Sequence, residues 1–598
     1  MSGADTRIEF SKGSGSVEVS QNYGHGMVKA PSDFVSGFPV LIIGTATIAA
    51  SAAFLTQQLL SPIPEVSTTK SILFYTIANG LLALALKRAG IDVFLHFLAR
   101  ISLINISYLT SLTFFTIVHR LYFHPLRNFP GSKIARLSKL YEAWLNYNGR
   151  NGLVVRDLCR KHGDFVRTGP NELAISNVEA VEIIWGRTRP TARGPFYEFA
   201  NFVGERHLVS QRDKAVHAAW RRIWDRGFTS QTVASYSPRV KYHVDKMISI
   251  LERLNGEETN SVDIYDNMTF DIMADLGFGQ KPEESMQSGA GDPSYMRFLH
   301  GWMRASTSIT GEIGAYIPQD AESKEFDKMG EKMLGARQKM GKSRQDIFTH
   351  LLDQDNESGV NFTQTQLLVN TQLLMVAGTG LSTPSSQATT SMRPNLLKRP
   401  LDTTSVTLTC LFRLLSMHAE KQQKLYKEIM ETFPNGETPT CANTAALPFL
   451  NGAVQESLRM WPAALPSGPQ ATTPPSGYTI AGTFVPGNVE VRIPPMTIMS
   501  DARYFPQPDE FLPERWTSEM PELVKDKRAF IVFGFGAHSC IGRPLAMNEM
   551  RTTVARVIQR FEVQLGESYD DRVFRDGWRD YSTVKLGPCP LKFVPRKM

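Results

Sequence analysis

One cysteine is set apart by its surroundings. Cys540 lies in FGFGAHSCIGRPLA, residues 533–546, a glycine-rich loop that runs straight into the helical pattern MNEMRTTVARVIQRF. A thiol at the mouth of a helix has its thiolate favoured by the helix dipole and by free backbone N–H groups. Gly534 and Gly536 permit backbone angles that side chains forbid, and Gly542 lets the chain pass close to a flat ligand. The pattern predicts a thiolate presented beside such a ligand. A lone cysteine is more often buried and inert, but the glycine spacing and the helix onset argue against that here.

Three other groups could act with it. Glu456 and Arg459, in LNGAVQESLRMWPAA, share one helix face, and Arg515 follows in FLPERW. Alone, such a pair is a surface ion pair of little worth. Upstream, HAAWRRIWDRGFTS (217–230) carries His217 and Arg221 one turn apart, by itself an ordinary basic amphipathic helix. The third group is Asp402-Thr403-Thr404. It closes a Ser/Thr-rich stretch with prolines at 384, 394 and 400, set between two apolar flanks that read as helix.

Taken in chain order, these motifs resemble the cytochrome P-450 family. Phe533, Gly536, Cys540 and Gly542 match its heme loop, F-x-x-G-x-R-x-C-x-G, with His538 where the pattern has Arg. The resemblance implies heme b as cofactor and Cys540 as the axial thiolate on its iron. His538 would donate a hydrogen bond to a heme propionate, or be only a loop residue. Arg221 would bind a propionate, with His217 where many members have Trp. Glu456, Arg459 and Arg515 would form the charge network behind the loop. RLYFHPLRNFPGS (120–132) resembles the hinge between anchor and catalytic domain in fungal members, stiffened by Pro125 and Pro130. The likeness covers roughly residues 120–596.

The family also carries a long helix with the pattern A-G-x-D/E-T-T. Here Ala377-Gly378-Thr379 and Asp402-Thr403-Thr404 are its two halves, separated by residues 380–401. Without that segment the chain reads LLMVAGTDTTSVTLTCLFRLL, one uninterrupted helix. A GT…AG excision rejoins Thr379 to Asp402 in frame if the Gly380 codon is GGT and the Leu401 codon ends in A. Residues 380–401 are therefore expected to come from a retained or unrecognised intron; the other reading is a genuine insertion that loops out. In the joined helix, Gly378 would open a groove for O2, Thr403 would offer its hydroxyl and Asp402 would relay protons. A plain alternative for the threonines is bonding back to helix carbonyls.

The elements that must hold these residues are mostly helical from Leu140 onward, with strand signals near 165–175 and 478–493 and a polar Gly/Ser loop at 279–294. The expected fold is mainly α with a small β part, the cytochrome P-450 fold behind an N-terminal transmembrane region. Its parts are a polar tail (1–33), a transmembrane region of one to three helices (34–119), a hinge (120–138) and a catalytic domain (139–598). Uncharged runs lie between Asp33 and Glu65, Lys70 and Lys87, and Arg100 and Arg120. The basic run Arg120, Arg127, Lys133, Arg136, Lys139 puts the C-terminal bulk on the cytosolic side of the endoplasmic reticulum membrane. Three spans would place Lys87, Arg88 and Arg100 in the loops between them, one lumenal, which strains the same rule.

Composition narrows the class. The 598 residues carry a net charge of +7, which suits a membrane surface or an acidic partner. No dense Lys/Arg cluster interleaved with aromatics points to nucleic acid. Five scattered cysteines argue for a reducing compartment. The resemblance implies a monooxygenase that inserts one atom of O2 into an apolar small molecule, of a fungal secondary-metabolite, tryprostatin-hydroxylase-like kind. Electrons would come from NADPH through a cytochrome P-450 reductase. The alternatives are a heme-thiolate isomerase or dehydratase, and an isoform inactivated by the 380–401 segment.

Overall fold

The computed structural model describes residues 33–60, 68–90, 94–198, 204–279, 321–341, 344–352, 361–378 and 403–597. Asp402, the 380–401 segment and nearly all of the 279–294 loop lie outside them. The chain divides into two compact units, Met1–Phe123 and His124–Met598.

The first unit is helical: Asp33–Leu60, Thr68–Arg88 and Phe94–Val118. Among the described residues, Lys70–Arg88 and Phe94–Phe123 are long and apolar enough to cross a membrane, and none of the residues in their apolar windows is buried in the protein. Polar side chains join the helices. Asn105 donates from Nδ2 to Asn79 Oδ1 at 2.7 Å, and the Tyr108 hydroxyl lies 3.0 Å from that of Thr56.

The second unit is mostly helix. Lys214–Arg226 starts where Asp213 accepts the N–H groups of Ala215 and Val216 at 2.8 and 2.9 Å, satisfying donors the first turn cannot use. Its face of His217, Trp220, Ile223 and Trp224 is buried. Thr403–Met417 is buried on every side from Thr404 to Leu415, as expected of a helix through the core. Gln364–Gly378 and Thr403–Met417 both pack on Ser261–Phe278. Arg543–Arg560 begins with a proline in its first turn, where the missing N–H costs nothing.

The β part is small. Strands Phe165–Gly169, Glu172–Ile175, Glu490–Arg492, Gln470–Thr472 and Ala192–Arg193 form one sheet in that spatial order. Tyr478–Ile480 and Thr483–Val485 form a hairpin, with Ala481 and Gly482 both at positive φ in its turn. The hinge residues dock on the sheet: Arg167 N donates to Pro130 O at 2.7 Å and Leu126 is fully buried.

Candidate active site

The loop that presents Cys540 is closed on itself, because Cys540 N donates to Phe533 O at 2.7 Å. Gly536, at φ +67°, has Trp185 O where a Cβ would sit, 2.1 Å away. Only glycine lets the loop press there, against the end of the helix Glu179–Trp185. That contact brings His538 up to the segment that follows the helix. Arg221 fixes the loop from the other side, donating from Nη1 to Ser539 O at 2.7 Å and from Nε to Asp225 at 2.8 Å.

Cys540 opens onto a cavity of about 1360 Å³ free of protein atoms, its mouth included. The other four cysteines are buried, so Cys540 is the one exposed thiol, and its exposure is to this interior space. Enclosure raises its pKa. The N–H groups of Gly542 and Arg543 and the charges of Arg221 and Arg543 pull the other way. The walls are largely apolar, including Leu208, Trp224, Phe228, Met273, Leu458 and Val532. Leu373 and Leu374 reach it from one helix and Thr403, Thr404 and Thr407 from the next. Thr407 donates back to the Thr403 carbonyl at 2.8 Å.

One end of the cavity is cationic. Arg193, His217, Arg221 and His538 line it, and Arg189 stands behind His538. Burial, then the surrounding charges, holds both imidazoles neutral: His217 is pushed down to about 3, and His538 lies well below the usual histidine range. The backbone carbonyls of Arg189 and Arg193 accept from Lys214 and Arg212, each at 3.0 Å. Burial and Arg189 lower the Lys214 pKa.

Glu456, Arg459 and Arg515 do not line the cavity. They form a sealed network in which Arg459 grips Glu456 with two bonds (2.8 and 2.9 Å) and Arg515 adds one at 2.8 Å. Trp516 Nε1 supplies a further donor at 2.9 Å. Gly378 ends its helix, and Asp402 lies outside the described residues.

A model of the family described as Cytochrome P450 matches residues 140–578. The chain belongs to the cytochrome P450 family. It is similar to the cytochrome P450 monooxygenase FCK2 of Fusarium pseudograminearum, 30% identical over 83% of this chain and 86% of that protein. It is likewise similar to the cytochrome P450 monooxygenase orf5 of Eupenicillium brefeldianum, 32% identical over 80% and 93%. Tryprostatin B 6-hydroxylase of Aspergillus fumigatus is 29% identical over 83% and 85%. This P450 is therefore an oxidoreductase of the monooxygenase kind.

Membership in the P450 family implies heme, and the residues present fit it. A thiol faces an apolar cavity, and at one end lie guanidinium groups that need anions. Trp224 Nε1, buried against the cavity, also has no hydrogen-bond partner among the described residues.

Arg189, Arg193 and Trp224 escaped the sequence reading. The stretch RTRPTARG holds four residues that could have hinted at the first two: Arg187, Arg189, Arg193 and the helix-breaking Pro190, with no acid among them. Nothing in the sequence said that this segment meets the Cys540 loop.

Proposed function

We propose that the chain is a membrane-anchored heme-thiolate monooxygenase that inserts one oxygen atom of O2 into an apolar organic molecule, a fungal secondary metabolite. Electrons come from NADPH through a separate reductase. The observation that carries this reading is the single exposed thiol, Cys540, opening onto an apolar cavity with a cationic end. The relatives named as monooxygenases and as a tryprostatin B hydroxylase support the reaction and the substrate class.

Heme b, ligated by Cys540, supplies the activation of O2, with the thiolate as electron donor to the iron. The chain's own part is binding, dryness and protons. Gly542 and Arg543 N–H groups stabilise negative charge on Cys540 Sγ. The apolar walls hold substrate and exclude water, and Thr403 Oγ1 passes a proton that Asp402 brings from solvent. Gly378 leaves the groove beside them open.

Anchoring rests on the two long apolar helices and on the segment after the hinge. There the helix Leu140–Tyr147 turns Leu140, Trp144 and Tyr147 outward, an apolar stripe of the kind found at membrane interfaces. The membrane is that of the endoplasmic reticulum, with the catalytic domain in the cytosol.

We further propose that the working chain lacks residues 380–401. Helices ending at Gly378 and starting at Thr403 line the same cavity, as two halves of one helix would.

The test is the purified chain joined from Thr379 to Asp402, supplied with heme, NADPH and a reductase. A thiolate-type Soret shift of the reduced carbonyl complex, absent in C540S, and reductase-dependent O2 uptake are expected. Heme binding without that shift would overturn the ligand assignment; turnover of an organic peroxide without reductase would mark an isomerase.

A further inference from the structure

Two strained residues meet beside the cavity. Leu465 and Ser582 both hold the left-handed backbone region, at φ +43° and +71°, which side chains disfavour. Leu465 N donates to Ser582 O at 2.6 Å, so the two turns are clasped together. Such strain persists only where the surroundings over-determine it, and it gathers at working sites.

The clasp sets a stretch of cavity wall. Next to it, Ala464 pairs with Thr583 in an antiparallel bridge, and Val584 N donates to Ala463 O at 2.8 Å. Ala463 and Ala464 line the cavity onto which Cys540 opens. An alanine carries a single methyl group, so where these two present it follows their backbone. That backbone is held at the depth the Ser582 turn allows.

The turn has a latch behind it. Asp580 does not line the cavity and is 4% exposed. Its Oδ1 accepts the Ser582 N–H at 3.2 Å, and its own N–H goes to Gly149 O at 2.9 Å. The helix Asn151–His162 presses in from the other side. A Cβ on Gly152 would lie 2.8 Å from Pro466 Cβ and 3.1 Å from Asp580 Oδ2, so Asp580 and the Leu465 turn share one backing.

We propose that Asp580 is a positioning residue for substrate: by latching the left-handed Ser582 turn it fixes the Leu465 clasp and, through it, the Ala463–Ala464 wall that selects the shape of the molecule in the cavity. This rests on the heme-thiolate reading of that cavity. It gives a part in selecting substrate to a side chain that touches neither cofactor nor substrate.

The chain joined from Thr379 to Asp402 is purified with heme as the parent and as D580N, D580A, D580A/S582G and S582V. Binding of imidazole and of 4-phenylimidazole is read from the red shift of the Soret band when a nitrogen ligates the iron. Imidazole asks little of the wall, whereas the phenyl group presses on it. In D580A the Kd for 4-phenylimidazole is expected to change about tenfold, the low end of what one methylene makes in an apolar pocket, while that for imidazole stays within about twofold. D580N keeps an Oδ1 acceptor and should hold the parent's ratio of the two. Glycine adopts φ +71° without strain, so D580A/S582G should return towards that ratio. S582V puts a branched side chain in the same region and should give the D580A split with Asp580 intact.

If D580A moves both ligands alike, or neither, the proposal is overturned. It is equally overturned if D580N behaves as D580A or if the double variant keeps the split, since each outcome makes Asp580 a structural residue only. Where D580A loads no heme, S582V decides, and an unchanged ratio there overturns the proposal. A joined parent chain that takes up no heme, or gives no Soret shift with imidazole, overturns the heme-thiolate reading itself.

Discussion

Glu456 and Arg515 stand 59 positions apart in sequence and 2.8 Å apart in space, Oε1 to Nε, both sealed from solvent. One carboxylate thus serves two buried guanidiniums, and backbone carbonyls of Met499, Pro506, Gln507 and Leu523 take the remaining N–H groups. The network stitches the helix Pro448–Met460 to the turn Pro513–Trp516.

Replacing Glu456 by Gln leaves two buried cations without their counter-charge. A loss of about 3–5 kcal/mol is expected, a large share of an ordinary domain's stability. Thermal unfolding of E456Q against wild type measures it. A midpoint within about 2 °C of wild type would show that the carbonyls alone suffice.

Gly534 and Gly536 make a matched pair. Both sit at positive φ, near +70°, but a Cβ on Gly534 meets nothing closer than 3.6 Å, whereas one on Gly536 meets Trp185 O at 2.1 Å. G534A should cost about 1–2 kcal/mol, from backbone strain alone. G536A should cost more and displace the Cys540 loop, read as lower heme-to-protein ratio at equal expression. Equal heme content in the two variants would refute the packing argument.

Asp580 is buried on the strand Arg579–Tyr581, and burial pushes its carboxyl up to about 6. Between pH 4 and 6 the folded chain holds a proton there that the unfolded chain has lost, so this group's contribution to stability falls as pH rises. The span corresponds to about 3 kcal/mol. His217 and His243, lowered to about 3 and about 4, act oppositely: folded stability drops as pH falls below their unfolded value. D580N should therefore gain on wild type as pH is raised from 4 to 6, and the difference should level off above. Parallel stability curves in denaturant titrations across that range would disprove the role.

The chain joined from Thr379 to Asp402 should load heme and turn over with reductase, while the 598-residue form should be slow or inactive. Sequencing transcripts across codons 370–410 comes first. Transcripts that all retain the segment, with a full-length enzyme as active as the joined one, would end the intron proposal.

Local signals made much of the site legible. The glycines and cysteine of 533–542 needed only their own order, because a loop closed by its own N–H to carbonyl bond from Cys540 to Phe533 is a local structure. The Glu456–Arg459 pair is one helix turn. The hairpin at 478–485 falls within the strand signals near 478–493, with Gly482 at its turn. Arg189 and Arg193 were silent for the opposite reason. They meet His538 across 349 and 345 positions, and nothing in a basic loop says which distant segment it will touch.

By itself the sequence determined the family, the thiol that faces the cavity, the helical character of the body and the apolar helices at the N-terminus. These depend on periodicity, local turn chemistry and composition, all of which act over a few residues. Only the tertiary structure decided which cations crowd the cavity's end and which of them meet His538. Those facts depend on Gly536 lacking a side chain beside Trp185, a contact made across the fold. They could be read only once distant segments had been brought to the same few ångströms.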